Sequence, residues 1–222
     1  MFGEAIGEIL PQAIGIALSP VPIIAVILML LSIRASSTAP AFAIGWTVGI
    51  LVVALVVALF VPASAASGQS GGGAVVGIVK LVLGGLFLVM AFGQWRKRPG
   101  PGETASLPKW MSSIDRMSPA AAFGVGLGLS AVNPKNLSLA LAAGLSLAGL
   151  SGGQMISGLV VFVLLAACSV LIPVCVHTLF SRRMTAPLSH LKDWLTRNNA
   201  TVMFTVLLVL GVTLIGKGIA AF

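Results

Sequence analysis

Charged residues are scarce in this chain of 222 residues. They make up 8% of the sequence and hydrophobic residues make up 58%, a balance that excludes a soluble globular domain. Acidic residues are the scarcest, and none of them lies deep inside an apolar stretch. The sequence therefore offers no general base within those stretches. The five acidic residues are Glu4, Glu8, Glu103, Asp115 and Asp193.

Several sequence features of enzymes and cofactor-binding proteins are also missing. There is no phosphate-binding loop, no cluster of metal ligands and no serine, histidine and aspartate arrangement with a plausible geometry. The two cysteines, Cys168 and Cys175, are seven residues apart on one predicted helix, about 10.5 Å along its axis, which is too far for a mutual disulfide. We therefore predict a protein that is not an enzyme and that uses no cofactor and no metal.

The chain does contain repeated apolar runs of about 20 residues or more, the length that crosses about 30 Å of hydrocarbon. They predict an all-α, polytopic membrane protein with one transmembrane domain over residues 1–222. Glu4 and Glu8 lead the first run in place of basic residues, so we do not expect a cleaved signal peptide. The six predicted spans are 6–31, 41–61, 75–95, 121–148, 155–180 and 201–222.

Basic residues are distributed on alternate connections between these spans. Ten lie in the first, third and fifth connections, whereas the connections 63–74 and 149–154 contain none. The positive-inside rule then predicts a plasma-membrane protein with both termini outside and the basic connections, including the linker 96–120, in the cytoplasm. The net charge of +8 thus reflects topology and anionic lipid headgroups, and we expect no nucleic-acid partner. Four tryptophans, predicted to be interfacial anchors, fall toward the same face: Trp46, Trp95, Trp110 and Trp194.

Two of the basic connections carry apolar residues at helical spacing. This pattern predicts either short amphipathic helices on the membrane surface or loops with a few buried anchors. The residues are Trp110, Met111, Ile114 and Met117 in the linker, and Leu188, Leu191, Trp194 and Leu195 in the connection 181–200.

The two halves of the chain, 1–95 and 121–222, resemble each other. Residues 18–22 match 132–136, Pro62 matches Pro173, and Leu-Val-Leu-Gly occurs at 81–84 and again at 208–211. With three spans in each half, the second half has the opposite orientation. The sequence therefore predicts a 3+3 inverted repeat, a construction common among secondary transporters.

Ser19-Pro20 and Asn133-Pro134 each join a helix-capping residue to a proline that suits the first position of a helix. We therefore predict that spans one and four are each broken near the middle of the membrane. Lys135 adds an ammonium at the second break, where an unpaired charge costs about 3 kcal/mol. With no acidic partner nearby, it predicts a site for phosphate, sulfate or carboxylate.

The alternative is that each proline makes only a tolerated kink, with Lys135 bonded to carbonyls that the kink opens and Lys80 extended toward the headgroups. Under the first interpretation, the predicted substrate-binding residues are Ser19, Pro20, Pro22, Lys80, Asn133, Pro134, Lys135 and Asn136.

These motifs resemble known families. Ser19-Pro20, Asn133-Pro134-Lys135 and the third span resemble the LysE transporter superfamily. The stretches 19–23, 108–115 and 130–137 resemble its GAP/Sap group, named for addressing glycopeptidolipids or sulfolipids to the cell surface. The resemblance implies a six-helix inverted-repeat exporter of envelope lipids or their building blocks, although related groups export amino acids and other small solutes.

We expect export of an anionic envelope lipid or lipid-linked precursor by alternating access. The alternatives are an exporter of small solutes such as amino acids and a non-transporting accessory scaffold for lipid export. The expected partners are membrane lipids and an anionic lipid or small-molecule substrate. Lipid-biosynthesis proteins and a second copy of the chain are further candidates, since the small-residue motifs at 45–49 and 124–128 suit contacts within one chain or between two.

Overall fold

The computed structural model describes residues 2–61, 72–98, 108–220 and 222, and all regular structure in these residues is helical. The predicted all-α class is confirmed. Pro62, used in the comparison of the two halves, lies outside the described residues. The helices are α1 (Phe2–Ala17), α2 (Pro20–Leu30), α3 (Ala35–Phe60), α4 (Gly72–Arg96), a 3-10 helix (Lys109–Arg116), α5 (Pro119–Ala131), α6 (Pro134–Leu147) and α7 (Gly152–Ile219).

Several helical stretches are long and apolar enough to cross a membrane, so the chain is a multi-pass membrane protein. Within the described ranges four qualify alone, and α1 with α2 forms a fifth that is bent by 52°. The predicted span 121–148 corresponds to α5 and α6, which are only 13 and 14 residues long. Length and composition thus support five spans where the sequence predicts six. The four single stretches are Ala35–Phe60, Gly77–Arg96, Gly152–Leu179 and Met184–Ile219.

The helix α7 contains the last two predicted spans together with the connection between them, which is helical in the structure. Its two parts pack beside the same short helix. Leu210 and Leu139 of α6 both lie against Gly15, while Gly158 lies against Leu147 of α6. Gly158 and Leu210 would be about 78 Å apart in a straight helix, whereas Leu139 and Leu147 are separated by about 12 Å. The chain of α7 must therefore turn back between Gly158 and Leu210.

Glycines allow the closest helix contacts. In α3, Gly45 faces the backbone carbonyl of Phe123 in α5, and in α5 Gly126 faces that of Phe42, so a side chain at either glycine would collide with backbone. The small-residue motif at 45–49 thus serves a contact within one chain. In the same way Gly84 of α4 and Gly211 of α7 each face the backbone carbonyl of the other.

Side-chain burial shows that one prediction is wrong and decides between two alternatives for another. Trp46 is 0% exposed, so its prediction as an interfacial anchor is wrong, whereas Trp95 and Trp194 are exposed. In the linker, Met111 and Ile114 are buried, and the 3-10 helix that carries them contacts α2. This segment is therefore held to the helix bundle by apolar anchors. In the connection 181–200, Leu188 and Leu195 are buried while Leu191 and Trp194 are exposed.

Candidate functional site

The first helix break lies where Ser19-Pro20 predicts it. Because Pro20 has no amide hydrogen, the carbonyl of Ile16 loses its usual helical donor. The hydroxyl of Ser19 replaces it, donating to the Ile16 oxygen over 2.7 Å. The side chain of Ser19 makes no capping bond to α2 among the described residues, so the prediction that it caps the second half-helix is wrong. Instead it closes the first half-helix.

The second break separates α5 from α6 at Val132 and Asn133. Here the predicted cap is present, because the Asn133 side chain accepts a hydrogen bond from the Lys135 amide over 3.1 Å. The side-chain amide of Asn136 reaches back and donates to the carbonyl oxygen of Leu129 over 2.9 Å. A side chain of α6 thus satisfies a carbonyl that the break opens at the end of α5.

Lys135 lies in the first turn of α6, but its side chain serves the other break. Its Nζ donates to the carbonyl oxygen of Gly15 over 2.7 Å and to Oγ of Ser19 over 2.6 Å. Gly15 lies in the last turn of α1, whose open carbonyls form the negative end of a helix dipole. The ammonium is therefore stabilised by polar groups of α1 although the side chain is only 1% exposed. The bond to Gly15 is of the kind that the alternative interpretation describes, but its carbonyl belongs to the first span, which is bent by 52°.

The two breaks meet in one polar cluster, which we define as Ser19, Lys135 and Asn136. Oγ of Ser19 accepts from Nζ of Lys135 and lies 3.2 Å from Oδ1 of Asn136, so the start of α2 is joined to the first turn of α6. The carbonyls that receive Lys135 and Asn136 belong to Gly15 and Leu129, which are 114 residues apart, the same separation as Ser19 and Asn133. The first turn of α6 thus supplies a hydrogen-bond donor to a backbone carbonyl at each break.

The structure brings together most of the predicted site residues. All three members of the cluster are buried, as are Pro20 and Pro22 at the start of α2, while Asn133 is half-buried and Pro134 is exposed. Lys80 lies apart from them on α4. Its neighbours Gly77 and Leu81 lie beside Gly218, near the end of α7. No hydrogen bond joins Lys80 to the cluster within the described part of the chain.

Charge at the cluster is unbalanced. In the described ranges no carboxylate forms an ion pair with Lys135, as the sequence predicts. An ammonium has three N–H donors, and the protein occupies two of them. The described residues also contain no group of three or more histidine, cysteine or acidic side chains that could hold a metal ion. The arrangement is therefore suited to binding an anionic group.

A second set of polar residues, which the sequence analysis did not assign to a site, lies between α1, α6 and α7. Glu8 accepts a hydrogen bond from Ser146 over 2.7 Å and lies 3.9 Å from Nζ of Lys217. Gln12 is 9% exposed and lines a cavity of about 20 Å³ with Ser138 and others. The sequence signal for Glu8 and Gln12 is their helical spacing, which places residues 8, 12 and 19 on one face of the first span.

Comparison with known proteins gives a family. No curated protein and no solved structure matches the chain. The family model described as Sap, sulfolipid-1-addressing protein, matches residues 9–220, which include both helix breaks and the whole polar cluster. The predicted resemblance to the GAP/Sap group is confirmed. On this match over nearly its full length, the chain belongs to the sulfolipid-1-addressing protein family.

Proposed function

We propose that this protein exports an anionic cell-envelope lipid, or a lipid-linked precursor, across the plasma membrane, with Lys135 binding the anionic headgroup. The observation that carries the proposal is the buried ammonium at the junction of two helix breaks, without a carboxylate partner in the described residues. The family description supports the class of cargo, since a sulfolipid headgroup carries an anionic sulfur group.

The contacts around Lys135 supply the chemistry that such a headgroup needs. A sulfate, phosphate or carboxylate oxygen accepts a charge-assisted hydrogen bond from an ammonium at about 2.7–2.9 Å. The third N–H of the Lys135 ammonium, which is not bonded to Gly15 or Ser19, is available for this bond. The first turns of α2 and α6 add the positive ends of two helix dipoles beside it. At 1% exposure the ammonium is enclosed, so the helices around it must move to admit a headgroup.

Alternating access by two related halves provides that movement. Three observations support the 3+3 inverted repeat. Both breaks begin a half-helix with proline, and they are 114 residues apart. Gly84 and Gly211, equivalent in the two Leu-Val-Leu-Gly segments, touch each other, as residues at a two-fold axis do. The stretch from Pro119 to Leu147 would measure about 43 Å if straight, so α5 and α6 together are long enough for a sixth, bent span.

The orientation belongs to this proposal as well. The basic connections would face the cytoplasm, and both termini would face outward. Cargo would then enter from the cytoplasmic side and leave toward the side that holds Glu8, Ser146 and Lys217. These three residues share one end of the bundle through their mutual contacts.

Lipids that co-purify with the protein test the proposal. The purified wild type, Lys135→Met and Lys80→Met are compared by mass spectrometry. The proposal leaves Lys80 out of the headgroup site, because it lies on α4 and no hydrogen bond joins it to the cluster in the described residues. Lys80→Met is therefore the matched control, since it removes the same charge away from the cluster. We expect an anionic lipid that falls at least tenfold in Lys135→Met and is kept in Lys80→Met. Equal recovery from Lys135→Met and wild type would remove the proposed role of Lys135.

A small-solute exporter is the second candidate, and the enclosure of Lys135 favours it, because a fully covered site suits a cargo without acyl chains. A small carboxylate lost from Lys135→Met in place of a lipid would identify this activity. Reconstitution into liposomes separates both transporters from an accessory scaffold. A scaffold would not move labelled anionic lipid between leaflets when it is the only protein present.

A further inference from the structure

Polar groups form a row along one face of α1. Glu8, Gln12, the carbonyl of Gly15, and Ser19 just beyond the helix follow each other at intervals of four, three and four residues, which places them on one face. The row is about 16 Å long, roughly half the thickness of the hydrocarbon core. It runs from the ion pair with Lys217 to the ammonium of Lys135.

The end of the row at Glu8 is open to the surroundings. The side chains of Glu8 and Lys217 are 43% and 36% exposed, and their charged atoms are 3.9 Å apart. Exposed ion pairs of this kind are weak, so the contact can open readily. Ser146 holds the other carboxylate oxygen of Glu8, which keeps the carboxylate on the face of α1 that meets α6.

The middle of the row contains a cavity of about 20 Å³ between α1, α6 and α7, enough for one water molecule. Its lining includes Gln12, Ser138 and Thr213. The Oε1 atom of Gln12 is buried and has no hydrogen-bond partner among the described residues. A buried acceptor of this kind requires a donor.

The hydroxyls in the cavity lining do not supply that donor. Ser138 already donates to the carbonyl of Pro134 over 2.7 Å, and Thr213 donates to that of Val209 over 2.8 Å. Each hydroxyl has one hydrogen, so both present only lone pairs to other groups. The ammonium of Lys217, which also lines the cavity, lies 3.9 Å from Glu8 and makes no hydrogen bond to Oε1 of Gln12 within the described residues. A donor of water size fits the space that is left. We propose that a water molecule binds at Gln12 and that it enters the cavity from the Glu8–Lys217 end of the bundle.

The path from that end to Gln12 admits water from one side of the membrane and stops short of Lys135, because Leu139 and Leu210 lie against Gly15. It is separate from the binding of cargo, because neither Gln12 nor Thr213 belongs to the polar cluster. It does not depend on the proposed function. It requires only that water-sized solutes reach the cavity from the end of the bundle that holds Glu8.

Silver ion is a suitable probe, because it is close to water in size, reacts with thiols and does not cross lipid. The background variant carries Cys168→Ser and Cys175→Ser, since both natural cysteines are free thiols. Thr213→Cys places a thiol at the cavity. Val209→Cys, one turn away and 58% exposed on the apolar surface, is the matched control. Vesicles are treated briefly with silver ion and then denatured, and a fluorescent maleimide counts the thiols that remain.

We expect silver ion to block the thiol of Thr213→Cys at least tenfold faster than the thiol of Val209→Cys. Adding Gln12→Leu should lower the blocking rate of Thr213→Cys at least tenfold. Equal rates at the two cysteines would overturn the path, and an unchanged rate in Gln12→Leu would overturn the water site. If Thr213→Cys fails to fold, Ser138→Cys replaces it with the same expected result. If silver ion blocks Thr213→Cys only when it is added on the cytoplasmic side of the membrane, the path is supported and the proposed orientation is wrong. This result does not test the identity of the cargo.

Discussion

Replacing Lys135 with methionine removes the ammonium and keeps a flexible side chain of similar length in the same buried place. The variant loses the bonds to the Gly15 carbonyl and to Ser19. Hydrogen bonds to charged groups contribute about 1.5–3 kcal/mol each, so the loss is about 3–6 kcal/mol. Because a charge in the membrane interior costs about 3 kcal/mol, removing it stabilises the variant by about that amount. The net destabilisation is therefore about 0–3 kcal/mol, which a folded membrane protein tolerates.

The measurement combines stability with cargo. Unfolding of the purified variants is followed in detergent with increasing denaturant, and bound lipid is quantified on the same samples. We expect Lys135→Met to remain folded, within about 3 kcal/mol of wild type, while losing the anionic lipid. Lys80→Met should change neither property. Destabilisation well above that range, or failure to fold, would refute this reasoning and show that Lys135 serves mainly to hold the two helix breaks together.

Two further predictions concern glycines, with thermal unfolding as the measurement. Gly126→Ala forces a methyl group against the backbone of Phe42 in α3, so we expect a loss of about 1–3 kcal/mol. Gly124→Ala, with nothing within 4 Å among the described residues, should change stability little, and equal effects of the two would contradict the close contact. Gly149→Ala should cost about 1–2 kcal/mol, because φ at Gly149 is 81° and a left-handed conformation disfavours a side chain. Gly152→Ala, at the start of α7, is its control, and a similar loss there would argue against strain at Gly149.

The helix breaks could be predicted from sequence because their cause is local. A proline removes one donor from its own helix, and at the second break the capping residue Asn133 marks where the next helix begins. The partner of Lys135 could not be predicted in this way. The carbonyl of Gly15 is 120 residues distant, and a backbone carbonyl has no side-chain signature. Only the packing of α1 against α6 reveals which of the many carbonyls becomes the acceptor.

Charge and aromatic patterns were less reliable guides. Residues 181–200 contain basic residues and a proline, which predicts a connection, yet α7 is helical through them and Pro187 is tolerated inside it. Trp46 follows the pattern of an interfacial anchor, but its side chain is fully buried, and at Gly126 the helix α5 lies against the backbone of Phe42 and Trp46. For Trp46, packing against a distant segment decides the outcome. The polar face of α1 shows the opposite case, since its regular spacing is visible in the sequence once a helix is assumed.

The contact between Gly84 and Gly211 has a consequence for how the molecule can change shape. The backbones of α4 and α7 touch there, and the side chains of Leu88 and Ile215 pack around the contact. Movement of α4 relative to α7 would have to separate the two backbones, so we expect these helices to keep their relative position. The broken helices are joined to each other by a few hydrogen bonds around Lys135, and we expect the movement that transport requires to occur there.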